Sequence, residues 1–143
     1  LVCFNVSISI MNDYIQKLKE HNLKVTPQRL GILSLIEKSG HISIEELYIA
    51  VRKDFSTISL ATLYKNIHSM VEVNLLKEVK IPNGKSKYEM VKKEHSHMIC
   101  KQCSKLEDLE LPLEEVIHTA SQKSGYLFDD NALVLSGICP QCQ

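Results

Sequence analysis

The sequence predicts an α+β chain in two parts, and three observations carry that prediction. Helical periodicity runs from about Asn12 to Val73 and gives way to two alternating segments on either side of Asn83-Gly84. Two CxxC pairs, Cys100-Lys-Gln-Cys103 and Cys139-Pro-Gln-Cys142, follow with 35 residues between them. A His95-Ser-His97 pair stands just ahead of the first.

Residues 1–10 alternate without a visible partner strand and lack the basic leading region of a signal peptide, so they are read as an N-terminal extension outside the native fold, with Met11 as the natural start. Cys3 lies within them as a lone thiol and is not expected to be a ligand. From Asn12, Tyr14, Ile15, Leu18 and Leu23 form the apolar stripe of a first helix, with Lys17 and Lys19 on its polar side. Thr26-Pro27 opens a second. Its cap is a side-chain oxygen, and Pro27 sits at the first helical position, where a missing N–H costs nothing. Leu30, Ile32, Leu33, Leu35 and Ile36 supply the buried face, and Ser39-Gly40 ends the helix.

Ser43 with Glu46 three residues on is a capping box for a third helix burying Ile44, Leu47 and Val51. Ser59 caps a fourth, from about Leu60 to Val73, in which Leu63, Ile67 and Met70 point inward. Thr62, Tyr64, Lys65 and Asn66 are thereby left at the end that enters a major groove in helix-turn-helix proteins. Leu75–Ile81 and Lys85–Val91 alternate about the Asn83-Gly84 turn, which adds a two-stranded wing with Lys80, Lys85 and Lys87 placed to touch phosphate. Helices followed by a basic hairpin predict a winged helix-turn-helix over residues 11–91.

The net charge of zero divides unevenly: residues 11–91 carry 12 Lys and Arg against 9 Asp and Glu, and residues 92–143 carry 5 against 8. The basic part is the one expected to face a polyanion. There is no run of 18 apolar residues, and four of five cysteines stand in metal-ligand spacing, which points to a reducing cytoplasm rather than a secreted disulfide framework.

Residues 92–143 read as strand, strand, helix, strand: a first strand carrying His95 and His97, then Leu106–Leu111, Leu113–Lys123 and Ala132–Ile138. Four thiolates close a tetrahedral zinc shell with no open position, the pattern of a structural site. His95 and His97, one residue apart on a strand, face the same side and can share a metal, with Asp108 as a further oxygen donor. His21, His68 and His118 are read as packing or surface residues. An enzyme is the rival class, since CxxC can be a redox couple and HxH can serve a zinc deaminase. The deaminase signature, however, needs Glu two residues after its His, and His97 stands there. A zinc-stabilised interaction module that binds no DNA is a further alternative.

Taken together, Val25-Thr26-Pro27-Gln28-Arg29, Ser59-Leu60-Ala61-Thr62-Leu63-Tyr64-Lys65-Asn66, His95-Ser-His97-Met-Ile-Cys100-Lys-Gln-Cys103 and the final Cys139–Cys142 pair resemble the ferric uptake regulator (Fur) family from about Asn12 to Cys142. The resemblance implies a homodimeric, non-enzymatic repressor that binds palindromic double-stranded DNA, with residues 92–143 forming an α/β dimerisation domain. It implies one structural zinc per chain on Cys100, Cys103, Cys139 and Cys142, and a regulatory Fe(II) or Mn(II) on His41, Glu89, His95, His97 and Asp108. The DNA-binding residues it implies are Arg29, Ser59, Thr62, Tyr64, Lys65, Asn66 and Lys85.

Asp108 stands where iron-uptake regulators more often have Glu, and so resembles the peroxide-responsive PerR branch, in which Fe(II) and peroxide oxidise a ligand histidine, here His41 or His95. Glu89 stands where some PerR proteins have Asp. Glu94, Ser96 and Asn131 occupy positions where a third metal site of many Fur proteins would have histidine or aspartate. The iron-responsive Fur branch is the alternative, followed by a zinc-uptake regulator.

Overall fold

The computed structural model describes residues 7–129 and 132–143, so Cys3 and Asn131 lie outside the described residues. The chain divides into two compact units: one reaches Lys80 and includes Gly84–Lys92, the other comprises Ile81–Asn83 and Lys93–Gln143.

In the first unit, α1 spans Ile8–Glu20, α2 Pro27–Ser39, α3 Ile44–Val51 and α4 Leu60–Glu72. The first helix starts four residues before Asn12, because Ser7 accepts from the Ile10 N–H and supplies a cap. Tyr14, Leu18, Ile32, Leu33, Ile36, Leu47, Val51, Leu63, Ile67 and Met70 converge in one hydrophobic core, as the 3.6-residue spacing requires. Tyr14 is buried yet satisfied, its hydroxyl donating to Glu37. That carboxylate and burial both hold the phenol in its neutral form, burial being the larger cause.

Three strands complete this unit in the order β1-β3-β2, with β1 at Ile42–Ser43, β2 at Leu76–Val79 and β3 at Lys87–Met90, all antiparallel. The hairpin differs from expectation. Its ladder ends at Val79↔Lys87, leaving residues 80–86 as an open loop instead of a two-residue turn at Asn83-Gly84. Pro82 has no N–H with which to extend the pairing, and Asn83 takes the left-handed conformation at φ 56°.

The Ser43 capping box is complete. Ser43 Oγ accepts from the Glu46 N–H at 3.3 Å, and Glu46 Oε2 accepts from the Ser43 backbone N–H at 2.9 Å. That backbone hydrogen bond is the main cause of a Glu46 carboxyl held below its ordinary 4.5. Ser43→Ala is expected to lower the stability of this unit by about 1 kcal/mol, read as a shift of the urea midpoint at unchanged slope. The Glu46 contribution has the sign of a depressed carboxylate: present above its unfolded pKa and lost as acid takes the pH down through the lower folded value.

The second unit holds β4 (Ser96–Cys100), β5 (Leu106–Leu109), α5 (Glu114–Ser124) and β6 (Val134–Gly137). Its sheet has the order β5-β4-β6, with β4 antiparallel to β5 and parallel to β6. Among the described residues this unit buries only Cys100 and Leu106 as apolar side chains, and α5 buries none. A unit this poor in apolar core needs another source of stability.

Candidate functional site

The parallel pairing of β4 and β6 assembles the cysteines. Cys100 lies opposite Gly137, so both strands run out at the same end of the sheet, and Cys139 follows two residues past that point. Each CxxC then curls back. The Cys103 and Cys139 N–H groups donate to Cys100 Sγ at 3.5 and 3.4 Å, while the Cys142 N–H donates to the Cys139 carbonyl at 2.9 Å. All four sulfurs lie within 4.8 Å of one another.

A tetrahedral zinc with bonds of about 2.3 Å requires sulfurs about 3.8 Å apart; Cys103 Sγ and Cys139 Sγ stand at 3.8 Å. The donor set therefore fits zinc. The same hydrogen bonds, those from the Cys103 and Cys139 N–H groups first, lower the Cys100 thiol to about 6, whereas hydrogen bonding with Cys139 is the leading cause that pushes Cys142 up to about 12. Four sulfurs this close can all be thiolates only with a cation among them to neutralise their charge.

A second set of donors belongs to the same sheet. His97 is directly opposite Asp108 in the β4–β5 ladder, and His95, just ahead of β4, brings its ring to 4.5 Å from that of His97. The two Nε2 atoms approach to 3.0 Å, and Asp108 Oδ1 is 3.4 Å from one and 3.6 Å from the other. Two cis nitrogen ligands at about 2.1 Å from a metal are about 3.0 Å apart, so this bite also fits. The Lys93 carbonyl lies 2.9 Å from His95 Nδ1; holding the ring proton there leaves the Nε2 lone pair for a metal. That carbonyl escapes sequence reading, since any residue could supply it.

In the first unit, the two-residue β1 that periodicity missed explains another pair. Ile42↔Tyr88 extends by one position to place His41 beside Glu89, with His41 Nε2 3.0 Å from Glu89 Oε2 and the carboxylate almost wholly buried. Buried carboxylates are retained only with a charge or hydrogen-bond partner.

The DNA-binding candidates separate by role. Ser59 caps α4, accepting from the Thr62 N–H at 3.1 Å, and the two hydroxyls meet at 2.9 Å. Tyr64 and Lys65 are exposed. Asn66 and Arg29 are joined, Arg29 Nε donating to Asn66 Oδ1 at 3.2 Å. Lys85 donates to Glu45 Oε1 at 2.6 Å from an exposed position, so a phosphate there competes with a carboxylate.

A helix-turn-helix with a wing, followed in the same chain by a four-thiolate metal knuckle, defines a metal-binding winged-helix protein. The chain belongs to the ferric uptake regulator family, whose sequence model matches residues 20–136. It is 32% identical over 135 residues to the peroxide-responsive repressor PerR of Staphylococcus saprophyticus, covering 93% of this chain and 91% of that protein. To the peroxide operon regulator of Bacillus subtilis it is 31% identical over 134 residues, covering 92% of each. Among solved structures, the peroxide stress regulator of Campylobacter jejuni superposes with a TM-score of 0.70 at 36% identity, covering 90% of this chain and 98% of that one. The Vibrio cholerae ferric uptake regulator gives 0.72 at 29%, covering 87% and 98%. In the described residues no helix is long and apolar enough to cross a membrane.

Proposed function

We propose that this chain is a cytoplasmic, dimeric, metal-dependent repressor of palindromic operators, of the peroxide-responsive type, which leaves DNA when its own histidines are oxidised. The observation that carries the reading is the donor set of β4 and β5: two imidazoles at metal-ligand bite with an aspartate, and no sulfur among them. Nitrogen and oxygen donors suit an exchangeable Fe(II) or Mn(II), whereas four thiolates retain zinc. Relatives named as peroxide-responsive repressors support the same reading.

On this proposal His41 and Glu89 complete the regulatory ligand set begun by His95, His97 and Asp108. A bound Fe(II) would supply the redox chemistry that lets hydrogen peroxide act as a two-electron oxidant at His41 or His95, one oxygen inserting at a ring C–H and the other leaving as water, with the cysteines held by zinc. Tyr64, Lys65, Thr62 and Ser59 form the surface for bases and phosphates at the start of α4. Dimerisation is supported by α5, which buries nothing within its own chain while Val116 is 64% exposed, and by Met98 and Leu135, exposed on the sheet.

Footprinting on a palindromic operator fragment, with Mn(II) or Fe(II) and with or without micromolar peroxide, tests the proposal. Both metals should support binding, and peroxide should release only the Fe(II) form, with one oxygen atom added to the peptide carrying His41 or His95. Asp108→Glu should blunt the response and keep metal-dependent binding. Unaltered histidines with binding unchanged by peroxide would make the chain an iron-responsive regulator. No DNA binding with any metal would leave a zinc-stabilised module.

A further inference from the structure

Arg29 is tied into its own unit by three hydrogen bonds. Its Nε donates to Asn66 Oδ1 at 3.2 Å, one terminal nitrogen to the Lys24 carbonyl at 2.7 Å, and the other to Ser69 Oγ at 3.3 Å. Ser69 in turn donates to the Asn66 carbonyl at 2.9 Å, and Asn66 Nδ2 donates to the Thr62 carbonyl at 3.1 Å. One guanidinium thus joins the α1–α2 connection to two successive positions on one face of α4. A planar fork can hold such an arrangement; an ammonium cannot.

The chemistry also orients Asn66. Arginine only donates, so the amide atom facing Nε is the oxygen. With its oxygen accepting from Arg29 and an N–H donating to its own helical turn, Asn66 lacks the free donor–acceptor edge that reads adenine bidentately.

We infer that Arg29, Asn66 and Ser69 are positioning residues, which hold the angle and depth at which α4 presents Tyr64 and Lys65, rather than contacts to phosphate or base. Ser69 is new to the site: it lies three residues beyond Asn66, on the same face of the helix and away from its groove-entering end. The inference rests on the DNA-binding reading above, and it can fail while that reading stands.

The test compares Arg29→Lys, Arg29→Ala and Ser69→Ala with wild type in the zinc- and Mn(II)-loaded dimer, on operator and on random duplex across a salt series. Positioning predicts that Arg29→Lys is no better than Arg29→Ala, that Ser69→Ala loses operator affinity about three- to tenfold, and that random-duplex binding and the salt slope are unchanged. A phosphate contact predicts the opposite. Arg29→Ala would then weaken both duplexes alike and reduce the slope by about one unit, Arg29→Lys would restore binding, and Ser69→Ala would be silent. That pattern, or wild-type operator affinity in all three variants, overturns the inference.

A DNA-free arm reads the network itself. The Arg29 Nε proton should be protected from exchange in the NMR spectrum of the wild type and lose protection in Ser69→Ala; an unprotected wild-type proton overturns the inference. If wild type binds neither duplex, the DNA-binding reading fails and this assignment of a role to the cluster falls with it, whatever the exchange arm shows.

Discussion

If the proposed zinc-bound dimer is right, Cys139→Ser is expected to lose zinc and dimer together. The second unit has almost no apolar core of its own, with Cys100 and Leu106 the only buried apolar side chains among its described residues. Binding energy at a structural zinc is folding energy, about 10–16 kcal/mol in small zinc-folded peptides, and a whole domain is stable by only about 5–15 kcal/mol. At the end of the sheet where β4 and β6 run out, Cys100 is also the acceptor of the two N–H groups that shape both turns. Native mass spectrometry and sedimentation should show a zinc-free monomer, with loss of the sheet signal of residues 93–143. The core of the first unit lies wholly outside that segment and should persist. A zinc-free Cys139→Ser protein that remained dimeric and bound operator would contradict the assignment.

His97→Ala is expected to abolish metal-dependent operator binding while leaving zinc content and fold intact. His97 is buried, faces Asp108 across the ladder and stands at 3.0 Å from His95 Nε2, so its loss removes half of the imidazole bite. A regulatory ligand shifts a conformational equilibrium only by its differential affinity for the two states, typically about 1–3 kcal/mol or roughly 5- to 150-fold. Wild-type affinity should rise by a factor of that size on adding Mn(II), and the variant's should not. Fluorescence anisotropy with labelled operator measures both. A variant still stimulated by Mn(II) to the wild-type level would place the regulatory metal elsewhere.

Much of this protein is legible in the sequence because the signals are local. Caps at Thr26, Ser43 and Ser59, the apolar faces of the four helices, and the close pairing within each CxxC depend on residues within a turn or two of one another. The resemblance carried by the His95–Cys103 segment and the α4 motif named the same family that the comparisons identify. Where the chain chemistry is less directive, the structure differs: the wing ladder ends at Val79 and Lys87 in place of a tight turn at Asn83-Gly84, and the first helix begins at Ile8.

By itself, then, the sequence determined the element types, the helix faces and the closed set of four thiolates, since each follows from periodicity, capping or ligand spacing along a short stretch. Tertiary structure alone decided which distant residues meet. The β1–β3 register sets His41 beside Glu89, the parallel β4–β6 pairing brings one CxxC to the other, and the fork of Arg29 occupies the Asn66 oxygen. Strand register is fixed by which side chains the whole sheet can bury, and a one-residue slip would turn each of those strand side chains to the opposite face. No local pattern encodes that choice; it is made only when the strands pair.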